Sequence, residues 1–193
     1  MIIAVDIDNT LNSLTEAVLS VYNEDSGDNL ALSDITEYRI EDFVKSEFKN
    51  KFYQYFLDKK VWKQIYVQPH CREVLAQLHR EGHMIIFVTT TEPENLPKKK
   101  NWLIRNFPFI DVRHSLYSCP TKQLIKCDIL IDDHIGNLVG DREYYSICID
   151  YAWNRKEWAD KEPCFTRVKD WNEIPDRINM IADLLKENED DCI

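Results

Sequence analysis

The sequence predicts an α/β domain: a Rossmann-like parallel sheet with a block of helices inserted after the first strand. Three observations predict it. Short apolar runs of the kind buried on both faces recur at residues 2–5, 84–88, 125–131 and 145–149. Stretches with helical spacing of apolar residues separate the later runs, the alternation that a parallel sheet requires. Between residues 11 and 68 helical patterns occur and no strand pattern does.

The elements follow in order. The first strand leads directly into Asp6 and Asp8. Leu14, Val18, Val21 and Tyr22 then repeat at helical spacing, and residues 23–29, acidic and polar around Gly27, read as a loop. Residues 33–37 offer capping groups for a short helix. Val44, Phe48, Phe52, Tyr55 and Phe56 form an apolar helical stripe, and Trp62 and Ile65 extend the helical block to about Gln68. Pro69 opens a helix with Val74, Leu75 and Leu78 on its inner face, closed by Gly82. The second strand ends in Thr89-Thr90-Thr91. A helix carrying Trp102 to Ile104 follows, then a short strand within residues 107–117. The strand at 125–131 ends in Asp132-Asp133. After the strand at 145–149, Asp170 caps a closing helix whose acidic end, from Glu187, is expected to fray.

Bulk properties narrow the function classes. With 193 residues the chain can bury a real core. Its formal net charge of -10 repels a phosphate backbone, which argues against long nucleic acid as a partner while leaving a small anion open. No stretch spans a bilayer and no basic leader precedes an apolar region, so a cytoplasmic setting is expected. The six cysteines, Cys71, Cys119, Cys127, Cys148, Cys164 and Cys192, fall in no CxxC spacing and read as free thiols that fill the core. The four glycines form neither a dinucleotide fingerprint nor a P-loop. A homodimer stays open.

Asp is costly to bury, so acids where a buried strand ends need a reason. Asp8, Asn9 and Thr10 could be turn and cap residues. In a parallel sheet, however, Asp6 and Asp8, Thr89 and Thr90, and Asp132 and Asp133 share one edge, where such sheets bind ligands. Clustered carboxylates raise one another's pKa unless a cation sits among them. Mg2+, which takes oxygen ligands and bridges to phosphate, is the natural choice. A carboxylate nucleophile, a second carboxyl as acid and base, a threonine hydroxyl and a lysine, Lys122, would then complete a phosphoryl-transfer site.

Asp6-x-Asp8-x-Thr10, the threonine after a buried strand, Lys122 and the terminal Asp132-Asp133 resemble, in order, the four motifs of the haloacid dehalogenase (HAD) superfamily. Within it the chain is similar to the 5′(3′)-deoxyribonucleotidases of bacteria and phages. Residues 127–133, CDILIDD, resemble that family's (G)DLLIDD segment. Lys122 stands ten residues before Asp132, the family's spacing, and residues 66–71, YVQPHC, resemble the segment that joins its helical cap to the core.

The resemblance implies a core of residues 1–13 and 69–193 and a cap of residues 14–68. It implies a Mg2+-dependent phosphomonoesterase acting on (deoxy)nucleoside 5′-monophosphates through an aspartyl-phosphate. Asp6 would be nucleophile and metal ligand. Asp8 would be general acid and base, with its backbone carbonyl on the metal. Thr89 and Thr90 would bind phosphate, and Lys122 would pair with it. Asp133 would ligate the metal with Asp132 in support, although the sequence leaves open which aspartate is which. One departure and one match concern the pocket. Leu14 stands where the family tends to place a base-contacting Phe, and Trp62 falls about where another pocket aromatic is expected. Asn9-Thr10 replaces the family's usual Gly-Val. Other substrates, a sugar phosphate or a polynucleotide 3′-phosphate, and a catalytically silent phospho-ligand sensor remain as alternatives.

The remaining polar residues have plainer readings. Lys98-Lys99-Lys100 could help draw in an anion but reads better as a solvated helical face, and Thr91 reads as a loop cap. The five histidines show no metal-ligand spacing, although His134 adjoins Asp133. The stripe from Val44 to Phe56 is chiefly cap core, with Phe48, Phe52 and Tyr55 as candidates for a pocket wall.

Overall fold

The structure is a computed structural model that describes residues 1–155 and 165–190, with backbone only for 188–190. Among the described residues six parallel strands make one sheet: β1 (Ile2–Val5), β2 (Met84–Thr89), β3 (Leu116–Ser118), β4 (Ile129–Asp132), β5 (Tyr145–Ile149) and β6 (Thr166–Val168), in the order β3-β2-β1-β4-β5-β6. Strand β1 pairs with β2 through Val5 opposite Phe87 and with β4 through Val5 opposite Ile131. The chain therefore leaves β1 toward one side of the sheet and later returns on the other, which makes the carboxyl end of β1 a topological switch point.

Alternate side chains of each strand enter separate cores, as the period of two demands. Ile3, Val5, Ile85, Phe87, Ile129 and Ile131 face one cluster, while Ala4, Ile86, Val88 and Leu130 face the other. The first face is covered by α1 (Leu14–Ser26), α4 (Cys71–Arg80) and α8 (Ile174–Asp190), and also carries α5 (Leu96–Asn106) through Trp102 and Leu103. No helix of the described residues is long and apolar enough to cross a membrane.

Residues 14–68 hold helices and no ladder strand, as expected, but the helices are more broken. Besides α1 this segment holds α2 (Ser46–Lys49), α3 (Lys59–Gln64) and three 3-10 turns, Leu32–Asp34, Ile40–Asp42 and Phe52–Leu57. The stripe from Val44 to Phe56 is thus not one helix. The tighter turn at Phe52–Leu57 lets Phe52 and Tyr55 both meet the edge of Tyr22, with ring centroids 5.9 and 6.2 Å away. The two chain crossings into this block lie side by side. Asn12 bridges Val67, and Gln68 N donates to Leu11 O at 2.9 Å.

Other boundaries shift for local reasons. Helix α4 begins at Cys71, not Pro69, because His70 takes a left-handed conformation at φ +62. Residues 107–117 hold Asp111-capped α6 (Val112–Ser115) before β3. Strand β4 starts at Ile129 because a 3-10 turn at Lys122–Leu124 precedes it, and the Asp128 carboxylate receives Ile2 N at 2.6 Å. Asp170 caps a 3-10 turn at Trp171–Glu173 that runs into α8, and α8 continues to Asp190 past the expected fray. Cys71, Cys127 and Cys148 are buried free thiols and Cys119 is half-buried; Cys164 and Cys192 lie outside the described residues.

Candidate active site

The expected residues meet at the switch point. Asp6 and Asp8 follow β1, Thr89 ends β2, and Asp132 and Asp133 end β4, so three adjacent strands deliver them. The loop after Asp8 turns sharply. Asn9 is left-handed at φ +60, a conformation that asparagine tolerates better than most residues. Its amide oxygen receives Thr15 N, and Asn12 Oδ1 receives both Asn9 N and Leu14 N, so Asn9, one of the residues read as turn or cap, shares the task with Asn12, which was not.

Lys122 is fully buried between two acids. Its ammonium donates to Asp6 Oδ1 and, at 2.7 Å, to Asp132 Oδ2. Asp132 also accepts from Asn137 Nδ2 and His134 N, both at 2.9 Å. With both oxygens engaged, Asp132 acts as a strut. Asp133 accepts from Trp153 Nε1 at 3.1 Å through Oδ2, and among the described residues its Oδ1 receives no hydrogen bond. Asp6 Oδ2 is likewise without one.

One carboxylate oxygen from each of Asp6, Asp132 and Asp133 falls within a 4.8 Å cluster. Burial, first, and then the neighbouring acids Asp132 and Asp8 push Asp6 up to about 7 against the pull of Lys122. Burial and the charges of Asp132 and Asp6 raise Asp133 well above the carboxylate range. Burial alone would lower Lys122, but Asp132 and Asp6 more than reverse that, so the lysine stays charged. An all-oxygen, acid-rich donor set held this strongly toward protonation suits a hard divalent cation. The Asp8 carboxylate is not in this cluster.

Asp8 is held instead by a residue that the sequence reading assigned to solvent. Lys99 is only 2% exposed, and its ammonium donates to Asp8 Oδ2 at 2.5 Å and Thr89 Oγ1 at 2.7 Å. The run Lys98-Lys99-Lys100 is therefore not a uniform solvated face. Lys99 shares the inner face of α5 with Trp102 and Leu103, three and four positions on, and that spacing is the signal that could have found it. Thr89 is buried behind this lysine, whereas Thr90 lines the cavity above and donates to Cys119 O at 3.3 Å.

The cavity is about 800 Å³. Asp8, Thr90 and Lys99 form its floor, and Leu14, Phe52, Phe56 and Trp62 its apolar wall from the helical segment. Leu14 and Trp62 both line this cavity, while Phe48 and Tyr55 do not. Trp62 is fixed by its indole N–H on Phe56 O at 2.8 Å. His134 meets Tyr38 from the helical segment, with ring centroids 4.0 Å apart. Trp153, Lys99 and Asn137 are site residues that no motif announced.

Comparison with known proteins agrees with this geometry. The chain is 31% identical to the 5′(3′)-deoxyribonucleotidase of Clostridium acetobutylicum, covering 95% of this chain and 97% of that protein. It is 30% identical to the 5′(3′)-deoxyribonucleotidase of Bacillus subtilis, covering 90% and 95%. In fold it resembles a HAD family hydrolase from Deinococcus radiodurans solved with bound phosphate and sodium, at TM-score 0.59, 12% identity and coverage of 94% and 96%. A predicted phosphatase from Clostridium acetobutylicum superposes at TM-score 0.60, with 17% identity and coverage of 92% and 97%. A family model described as 5′ nucleotidase, deoxy (pyrimidine), cytosolic type C protein matches residues 1–185. The chain belongs to that nucleotidase family, and with it to the phosphoric monoester hydrolases of HAD fold.

Proposed function

We propose that this protein is a Mg2+-dependent phosphomonoesterase that hydrolyses (deoxy)nucleoside 5′-monophosphates through an aspartyl-phosphate on Asp6. The observation that carries the reading is the nucleophile's setting. Asp6 sits between Lys122 and the Asp132-Asp133 pair, and Asp8, two residues on, lines a cavity that Phe52, Phe56 and Trp62 also line.

In the first step an Asp6 oxygen attacks phosphorus and the ester P–O bond breaks. Asp8, in its protonated form, gives the leaving oxygen its proton. In the second step Asp8 takes a proton from water as that water attacks the phosphorus of the acyl-phosphate, and inorganic phosphate leaves with Asp6 restored. Lys122 stays charged throughout and offsets the phosphoryl charge, and Lys99 orients the Asp8 carboxyl. Thr90 and nearby backbone N–H groups hold non-transferring oxygens. Mg2+, held by Asp6, Asp133 and the Asp8 carbonyl with Asp132 in support, would neutralise phosphoryl charge and fix its orientation. Residues 14–68 form the cap, and its aromatic wall receives the base. A cytoplasmic nucleotide pool would supply the substrate.

The test is phosphate release from a panel of nucleoside and sugar monophosphates with and without Mg2+. Mg2+-dependent release, fastest on nucleotides and absent in a folded Asp6→Asn variant, is expected. Appreciable turnover by that variant removes Asp6 as nucleophile. No release from any monophosphate favours a phospho-ligand sensor.

A further inference from the structure

The turn after β5 reaches back into the site. Trp153, 4% exposed, sits in the 3-10 turn Ala152–Asn154 and donates its indole N–H to Asp133 Oδ2 at 3.1 Å. Its neighbour Asn154 fixes the backbone of the same aspartate, donating to Asp133 O and to Ile149 O, both at 2.8 Å. Arg167 from β6 in turn holds Asn154, through its side-chain oxygen at 2.5 Å and its carbonyl at 3.0 Å. Asp133 is thus gripped at side chain and main chain from one turn, with Oδ1 left over.

The other side of Trp153 faces elements that lie before β2. The indole is buried with Leu19 of α1 and with Ile35. Its flat face stacks on Tyr151, with ring centroids 4.1 Å apart and planes 8° apart. The Tyr151 hydroxyl donates to Asn9 O at 2.7 Å and accepts from Gln68 Nε2 at 3.1 Å. Asn9 follows Asp8, and Gln68 lies at the return crossing from the helical segment. The stacked Trp153–Tyr151 pair therefore connects Asp133, the Asp8 loop and the helical segment.

We propose that Trp153 is a positioning residue that aims Asp133 at the metal and makes that aim depend on how the helical segment is seated. The inference rests on the Mg2+ reading above. A carboxylate with one oxygen pinned by a neutral donor presents the other in a defined direction, and such outer partners of metal ligands are commonly worth about 10–100-fold in affinity. Phenylalanine removes the N–H and keeps an aromatic ring against Tyr151, although that ring is smaller than the indole.

The experiment is Mn2+ binding to the full chain, read by electron paramagnetic resonance as loss of the free-ion signal. Trp153→Phe is expected to weaken Mn2+ binding by about 10–100-fold, with turnover recovering as metal is raised. Unchanged Mn2+ affinity in a folded Trp153→Phe variant overturns the positioning role. Ile35→Ala leaves the N–H in place and loosens only the packing. It is expected to weaken Mn2+ binding by about two- to thirty-fold, and no change overturns the link to the helical segment. This second variant decides the proposal if Trp153→Phe fails to fold. Absence of Mn2+ binding to the unaltered protein is a separate result, and it removes the metal site itself.

Discussion

Lys99 and Asp8 come from elements 91 positions apart in sequence and meet at 2.5 Å, with Thr89 completing the contact at 2.7 Å. Asp8 is the acid and base of the proposed reaction, so this lysine sets where its carboxyl points. It also adds a second positive charge to a site that must receive a phosphoryl dianion. Lys99→Met keeps the buried stem and deletes the charge. We expect kcat/KM for phosphate release to fall by about 10²-fold or more, the size seen when one preorganised electrostatic donor is lost. Steady-state assays beside circular dichroism check it; a folded variant with near-normal turnover would sink the role.

How far this site could be read from sequence follows from what each residue's neighbours reveal. Asp6, Asp8, Asp132 and Asp133 stand out because acids directly follow or end apolar strands. Strand and helix alternation implies a parallel sheet, which puts those acids along one edge; the strand order that makes β2, β1 and β4 neighbours comes from the structure. Lys122 stands out only through its spacing before Asp132. Lys99 was hidden by two flanking lysines, which make the run look solvated although only the middle one faces inward. Trp153 follows a strand with no motif around it, and its role depends on contacts across 20 residues to Asp133. The helices at residues 44–57 are more broken than their apolar stripe implies for another reason. An apolar stripe fixes which side chains are buried, but tertiary packing against Tyr22 decides whether the backbone winds as α or as 3-10 turns.

Lys122 bonds two buried acids, and its removal strands both. Breaking a buried ion pair by deleting one partner costs about 3–5 kcal/mol, so Lys122→Met should lower the melting temperature substantially. A divalent cation beside the same acids would supply part of the lost charge. Thermal melts with and without Mg2+ should therefore show a larger Mg2+-induced rise for Lys122→Met than for the unaltered protein. An equal or smaller rise would mean that the cation does not sit beside those acids.

Acid stability has a separate anchor at Asp150. Its carboxyl is held below its ordinary value, first by hydrogen bonding to Arg155 and then by the charges of Arg155 and Arg167. The folded chain thus binds this proton less readily than the unfolded chain, whose Asp titrates near about 3.9. The stabilisation is fully present above that value and is lost as pH falls through the folded-state value. Asp150→Asn should destabilise the protein at neutral pH and flatten the further loss of melting temperature below about pH 4. A series of melts across pH 7 to pH 2 (about five pH units) checks it, and parallel curves for the two proteins would contradict the assignment.

Trp62 separates recognition of the leaving group from chemistry at phosphorus. It lines the cavity together with Phe52 and Phe56, its N–H fixed on Phe56 O, and it contacts none of Asp6, Lys122 or Asp133 by hydrogen bond. Stacking on an aromatic side chain is worth about 1–3 kcal/mol per base, a factor of roughly 5 to 150. If the aromatic wall receives the base, Trp62→Ala should lower kcat/KM for deoxynucleoside monophosphates by about that factor. Glycerol phosphate, which has no ring to stack, should be hydrolysed by the variant as well as by the unaltered protein. A parallel loss on both substrates would place the effect of Trp62 on the seating of the helical segment instead, since α3 carries it directly beside the apolar core through Val61.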